Sequence, residues 1–239
     1  MIECQFKKRI CCVLVLMTVF CNPLFSAPKR KNVFFKKGKV TVRYRIKIPL
    51  PLLKPKSVFQ PFSQELKSRL SEMTSQYVAN TAAMQIDFPA SVVPTNTVTG
   101  SYYLYKTKRS VGVKFLVVSY VTHAAHPSTD VLTLNYNQHS DKVIQLSDVL
   151  QHAYLSFLSH YCRQALKNKG IESDTMLDGT RPVSRNFRHW NMQSRGLLIS
   201  FGDGQVGPHA IGQPVVKIPR AALVPFLSEQ GRYYLGMSR

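Results

Sequence analysis

Two histidines three residues apart, His123 and His126, close the stretch YVTHAAHP at residues 120–127, at the end of a strand expected over 113–121. Imidazoles at that spacing can share a zinc or copper ion when a third ligand converges on them, and His209, His139 and Asp203 are the candidates elsewhere in the chain. The stretch reads as a strand entering a loop, not as a helix, and lacks the glutamate of a metalloprotease motif. A structural, hydrogen-bonding role is therefore the better reading of the pair.

Asp203 and His209 lie in FGDGQVGPH, residues 201–209, where a carboxylate could orient an imidazole as a general base. No serine or cysteine stands in a nucleophile elbow, and Gly202-Asp203-Gly204 is tight-turn composition. His209 is expected to be a packed, hydrogen-bonding loop residue. Asp130, Asp141 and Asp148 stand singly and read as turn and cap residues, so no buried carboxylate pair is expected. Cys162 falls on an apolar helical stripe and reads as a small buried hydrophobe; Trp190, the only tryptophan, reads as a core anchor. No phosphate-binding loop, dinucleotide fingerprint, CxxC or HExxH motif is present, and no cofactor is expected.

Among the elements that must position these residues, VTVRYRIKI (40–48) alternates apolar Val40, Val42, Tyr44, Ile46 and Ile48 with Thr41, Arg43, Arg45 and Lys47, which predicts a half-buried strand with a cationic outer face. Leu66, Leu70, Met73 and Tyr77 follow at helical spacing, predicting an amphipathic helix from Ser63 to about Met84. Strand pairs are expected at 101–107 with 111–122 and at 131–136 with 142–146. A second helix, capped by Ser147 or Asp148, should run to Gly170 with Leu150, Tyr154, Phe157, Leu158, Tyr161, Cys162 and Leu166 as its stripe. Residues 171–185 read as a loop, 187–193 with 197–201 as a hairpin, 214–218 as a last strand and 223–227 as a short helix or turn. Strands joined by short turns and interspersed with helices give an α+β class with mainly antiparallel sheets and two principal helices.

The chain of 239 residues carries a formal net charge of +20. It opens with Lys7, Lys8 and Arg9 before an unbroken apolar run from Ile10 to Cys21 and a small-residue exit at Ser26 and Ala27, the layout of a secretory signal peptide over 1–27. The run is short of the roughly 20 residues that cross a bilayer. Pro28 after Ala27 leaves an uncleaved N-terminal anchor as the alternative. Four of the five cysteines lie in this leader, so Cys162 has no intramolecular disulfide partner after it. Removing the three cations and Glu3 of the leader lowers the net charge by two, to +18. Such a field attracts anions, and with an export signal present nucleic acid is excluded in favour of anionic lipid, acidic wall polymer or an acidic protein. Residues 28–39 (PKRKNVFFKKGK) read as a mobile basic arm, a solvated linker in the simpler reading, with contact at the inner membrane as the alternative.

Three segments in order, YVTHAAHP at 120–127, IQLSDVL at 144–150 and GPHAIGQPVVKIP at 207–219, resemble the domain-of-unknown-function family found in the lysozyme-binding region of the anti-sigma factor RsiV and in the non-catalytic part of the deacetylase PdaC. The likeness covers about residues 100–227, and residues 40–100 resemble the smaller domain that precedes it, which implies a division into a 40–99 subdomain and a 100–239 domain. His209 stands where the family loop usually carries tyrosine. The resemblance implies an extracytoplasmic α+β module that works by binding; enzyme activity and sigma-factor control do not carry over. The expected protein is thus a non-catalytic periplasmic binding protein, in peripheral or N-terminally anchored contact with the inner membrane as an accessory to an envelope machine. Its expected partner is an envelope protein or an anionic envelope polymer or lipid, acidic rather than basic as lysozyme is. Arg43, Arg45, Lys47, His126 and His209 are the candidate binding residues. The competing reading is a metal-dependent cell-wall hydrolase using His123, His126 and His209.

Overall fold

Residues 31–37, 40–54, 56–83 and 93–237 are described by the structure, a computed structural model. The leader expected over 1–27 lies outside them. Lys31–Lys37, expected within an unstructured basic arm, is instead strand β1, antiparallel to β2 (Val40–Lys47) from Lys31 opposite Ile46 to Lys37 opposite Val40. Pairing supplies partners to main-chain groups that an isolated arm would leave to water.

In β2, Val42 and Tyr44 are buried while Arg43, Arg45 and Lys47 are exposed, as the alternation requires. Helix α1 (Lys56–Ala83) then crosses to β3 (Thr95–Lys106), which lies parallel to β2, the geometry that needs such a crossover. The helix starts upstream of the expected Ser63, because Phe59 and Phe62 extend the buried stripe of Leu66 and Leu70 toward its N-terminus. The Tyr44 hydroxyl ties β2 to the far end of α1, 3.0 Å from Thr81 Oγ1 and donating to the Val78 carbonyl at 3.2 Å. Strands β4 (Ser110–Tyr120), β5 (Ser128–Asn137) and the two-residue β6 (Lys142–Val143) complete a six-stranded sheet in the order β1-β2-β3-β4-β5-β6, antiparallel from β3 onward. Its inner face packs Val98, Val113, Phe115, Val117 and Leu134 on Phe62 and Leu66 of α1.

A second core begins at Ile144. Strands β3 to β6 pack with α1 in the first core, so the change from one core to the other falls between residues 143 and 144, whereas the family likeness implies a division at 99/100. The helix expected from Ser147 to Gly170 is broken into α2 (Leu146–Val149) and α3 (Tyr154–Lys167). Leu150 leaves the helix to bridge Leu227, Gln151 N–H donates to the Phe226 carbonyl at 2.8 Å, and His152 and Ala153 take left-handed φ of 50° and 45°. Asp148 stands at the third position inside the cap, where it accepts from Gln145 N–H at 2.7 Å. The stripe Leu158, Cys162 and Leu166 is buried as expected, and burial pushes the Cys162 thiol up to about 12, leaving it protonated and inert.

The region 171–185, expected as a loop, contains α4 (Asp174–Gly179), capped by the Ser173 hydroxyl accepting from Met176 N–H. A 3₁₀ turn over Ser184–Phe187 leads into β7 (Trp190–Gln193), which with β8 (Gly196–Ser200) and β9 (Val215–Pro219) forms an antiparallel three-stranded sheet. Short helices α5 (Arg220–Leu223) and α6 (Glu229–Tyr234) close the lobe. Trp190 is buried in this core, as an anchor should be.

The two lobes meet where β7 crosses the outer face of β4 and β5. Asn135 Nδ2 donates to the Trp190 carbonyl at 2.9 Å, and Asn135 Oδ1 accepts from Met192 N–H at 3.1 Å. Asn191 Nδ2 donates to the Val113 carbonyl at 3.1 Å. A side chain at Gly112 would stand 2.8 Å from Asn135 Oδ1, so only glycine lets these amides pass. Beside them the His189 ring accepts from Arg188 Nε at 2.9 Å. Burial first, then the charges of Arg188 and Lys114, press His189 down to about 4, so it is neutral in the fold.

Two outcomes are expected. Asn135→Ala strands the Met192 N–H and the Trp190 carbonyl, and urea unfolding should show a loss of about 3 kcal/mol. Because the unfolded chain protonates His189 near 6.5 while the fold does so only near 4, its share of stability is complete above pH 6.5 and is lost as pH falls toward 4. Between about pH 7 and about pH 4.5, His189→Gln should therefore lose on the order of 2 kcal/mol less than the wild type does.

Candidate functional site

Two loops, one from each lobe, meet at the start of β5. The first joins β4 to β5: Ala124 N–H donates to the Val121 carbonyl, closing a tight turn in which His123 takes a left-handed φ of 70°. His126 follows, exposed, with Nδ1 3.1 Å from the Pro127 carbonyl. The second joins β8 to β9 and opens with the expected turn: Gln205 N–H donates to the Gly202 carbonyl and Gly204 supplies φ 71°. Gln205 locks the loop, its Oε1 accepting from Gly202 N–H and its Nε2 donating to the Gly179 and Asn186 carbonyls. Pro208 sets the start of a 3₁₀ turn over His209–Ile211.

This geometry brings His126 and His209 together, with ring centroids 5.3 Å apart. His209 is not packed as expected; its side chain is 63% exposed, and it is held from the side by Asp203, whose Oδ1 lies 3.0 Å from Nδ1. That contact is at ion-pair distance but outside hydrogen-bond alignment, so Asp203 Oδ1, itself buried, has no hydrogen-bond partner among the described residues. His139 sits in the β5–β6 turn, its N–H donating to Asn137 Oδ1. Among the described residues no three His, Cys, Asp or Glu side chains form a metal-ligand group, so His123, His126 and His209 are not a preformed metal centre. Asp203 and His209 stand at ion-pair distance without the hydrogen bond that orients a general base, and among the described residues no serine, threonine or cysteine hydrogen-bonds the His209 ring. What the pair provides is a polar, orientable contact.

Behind the histidines lies a cleft of about 450 Å³. One wall is strand β5 from Ser128 to Leu132; the other is the 185–189 segment with Gly202, Asp203, Gln205 and His209. Asp130, expected in a turn, is in this strand. Burial first, then the nearby Asp203, raise its carboxyl pKa, while Arg188 opposes the shift. Asn186 secures the far wall, Nδ2 donating to the Asp178 and Arg181 carbonyls, and both Arg185 and Arg188 are exposed at the cleft. Arg185, Arg188 and His189 match no sequence motif; the available signal is their spacing around Phe187, buried in the second core, which throws the polar neighbours outward.

Arg43, Arg45 and Lys47 form a separate row. They project from the outer face of β2, in register with Thr95, Thr97 and Thr99 of β3, and two strands separate β2 from β5. The five candidate binding residues thus divide into a cationic row and a histidine pair at different places on the molecule.

A model of the DUF3298 family, described as a protein of unknown function, matches residues 147–221. That span holds the His209 loop and most of the 144–150 segment, while YVTHAAHP lies outside it. No curated protein matches the chain. The fold resembles a solved DUF3298-family protein from Bacteroides fragilis at TM-score 0.56 and 14% identity, covering 89% of this chain and 95% of that one. It also resembles a DUF3298-family protein from Pseudomonas aeruginosa at TM-score 0.57 and 15% identity, covering 90% and 100% respectively. Residues 147–221 thus match the DUF3298 family model, within a fold shared along most of the chain's length with two solved members of that family.

Proposed function

We propose that this chain is an exported, non-catalytic binding protein of the cell envelope, periplasmic and held at the inner membrane, that contacts an acidic envelope protein or an anionic envelope polymer or lipid. The observation that carries this reading is the row Arg43, Arg45 and Lys47, three cations at alternate positions of one strand and all exposed on the sheet's outer face. Strand spacing sets neighbours in the row about 7 Å apart, close enough to act together on one anionic surface. The net charge of +20 adds a long-range attraction to the same class of partner. Export rests on the cationic start, apolar run and small-residue exit of residues 1–27.

Reversing all three charges, in Arg43→Glu, Arg45→Glu and Lys47→Glu together, should reduce retention on vesicles containing anionic lipid by on the order of 100-fold at low salt, since each cation near such a surface contributes about 1 kcal/mol. The same variant should be lost from envelope fractions; unchanged retention in both assays would sink the row as the contact. Cell fractionation with N-terminal sequencing checks location and leader removal together, and a wholly cytoplasmic protein would end the envelope reading.

A further inference from the structure

Strand β5 is paired along its whole length with β4, but on its other side β6 pairs only with Tyr136 and Asn137. One further main-chain bond reaches that side, from Ile144 N–H to the Asn135 carbonyl. Among the described residues, no other main-chain hydrogen bond meets the outward groups of Ser128 to Leu132. This open edge is the same run that walls the cleft. It spans about 17 Å at strand rise. Its inner end is closed where Thr133 Oγ1 accepts from Trp190 N–H at 3.2 Å, and its outer end is marked by His126 against His209.

Exposed edges are usually blunted, because unpaired N–H and C=O groups invite another strand. Here the edge is instead faced by a second wall, which turns it into a slot with side-chain contacts. That wall offers positive charge. Neither Arg185 nor Arg188 forms an ion pair among the described residues; Arg188 directs Nε to His189, and its charge acts on Asp130 across the cleft. Asp203 is engaged by His209.

We propose that the β5 edge is a peptide-docking slot: an extended, acidic segment of a partner protein adds as a strand beside Ser128–Leu132 and places a carboxylate side chain against Arg185 and Arg188. Main-chain bonds to the edge supply affinity, and the arginine wall supplies the preference for acid, the division of labour general to strand addition. This goes beyond the cationic row of β2, uses none of its residues, and stands or falls apart from it.

The test uses the whole protein and a fluorescein-labelled peptide of alternating glutamate and valine. The peptide should bind and protect from hydrogen exchange the outward-facing amides of Thr129 and Val131, the alternate positions of β5 that direct their N–H groups away from β4. N-methylation of alternate peptide amides, which keeps the charge and removes strand pairing, should abolish binding. A lysine–valine analogue should not bind. Arg185→Glu with Arg188→Glu should weaken binding roughly tenfold. Since Arg188 also touches His189, the exposed Arg185→Glu alone serves as the fold-neutral arm, with a severalfold loss and an unchanged unfolding midpoint. Arg43→Glu/Arg45→Glu/Lys47→Glu should bind the peptide as the wild type does. No binding of the glutamate peptide, equal binding of the N-methylated or lysine peptide, equal affinity in Arg185→Glu, protection mapped elsewhere, or loss of binding in the β2 variant would each overturn the slot.

Discussion

Everything in the relation between the two lobes depends on a buried amide seam. The side chains of Asn135 on β5 and Asn191 on β7 each reach across the interface to main-chain groups of the other lobe, and Gly112 makes the space in which they do so. A buried amide left unpaired costs far more than the pair gains over water, so the seam accepts one register and penalises its neighbours. An apolar interface of the same size would be tolerant of sliding; this one is not. The fit is incomplete at one atom, since Asn191 Oδ1 has no partner among the described residues.

That single register explains the placement of the polar groups nearby. With β7 pinned to β5, the segment before it must run beside the β5 edge, and Phe187, buried in the second core, turns Arg185 and Arg188 away from it. The β8–β9 loop is carried to the same end of β5 because β8 pairs with β7 throughout. The meeting of His126 and His209, residues from different lobes, is therefore a consequence of the seam rather than of any attraction between two imidazoles.

Much of the architecture is legible in the chain because it is written in local periodicity. The alternation of β2, the stripe Leu158, Cys162 and Leu166 of α3, and the Gly202-Asp203-Gly204 turn follow from rules that act over a few residues. What escapes is decided by distant partners. The break after Val149 exists because Leu227 arrives to bridge Leu150, and Gly231 packs so close that an added Cβ would lie 2.1 Å from the Val149 carbonyl. Strand β1 exists because β2 has an edge to offer. The passage from one core to the other is hidden because it follows core membership, not composition. At the candidate site, the His209 loop is legible as a turn and its neighbour His126 as a noteworthy side chain, but the arginines and the open strand edge are visible only once both lobes are in place.

The chemistry of the seam also bears on the order in which the chain is made. Strands β1 to β6 and helix α1 are complete once Val143 is added, whereas Asn191 follows only after α2, α3 and α4 have been made. During synthesis the first lobe must wait with its docking face open. Because that face presents amides and a glycine, water can serve as the provisional partner, and the waiting surface is hydrated instead of sticky. A polar interface here is thus as much a safeguard for a half-made protein as a lock for the finished one.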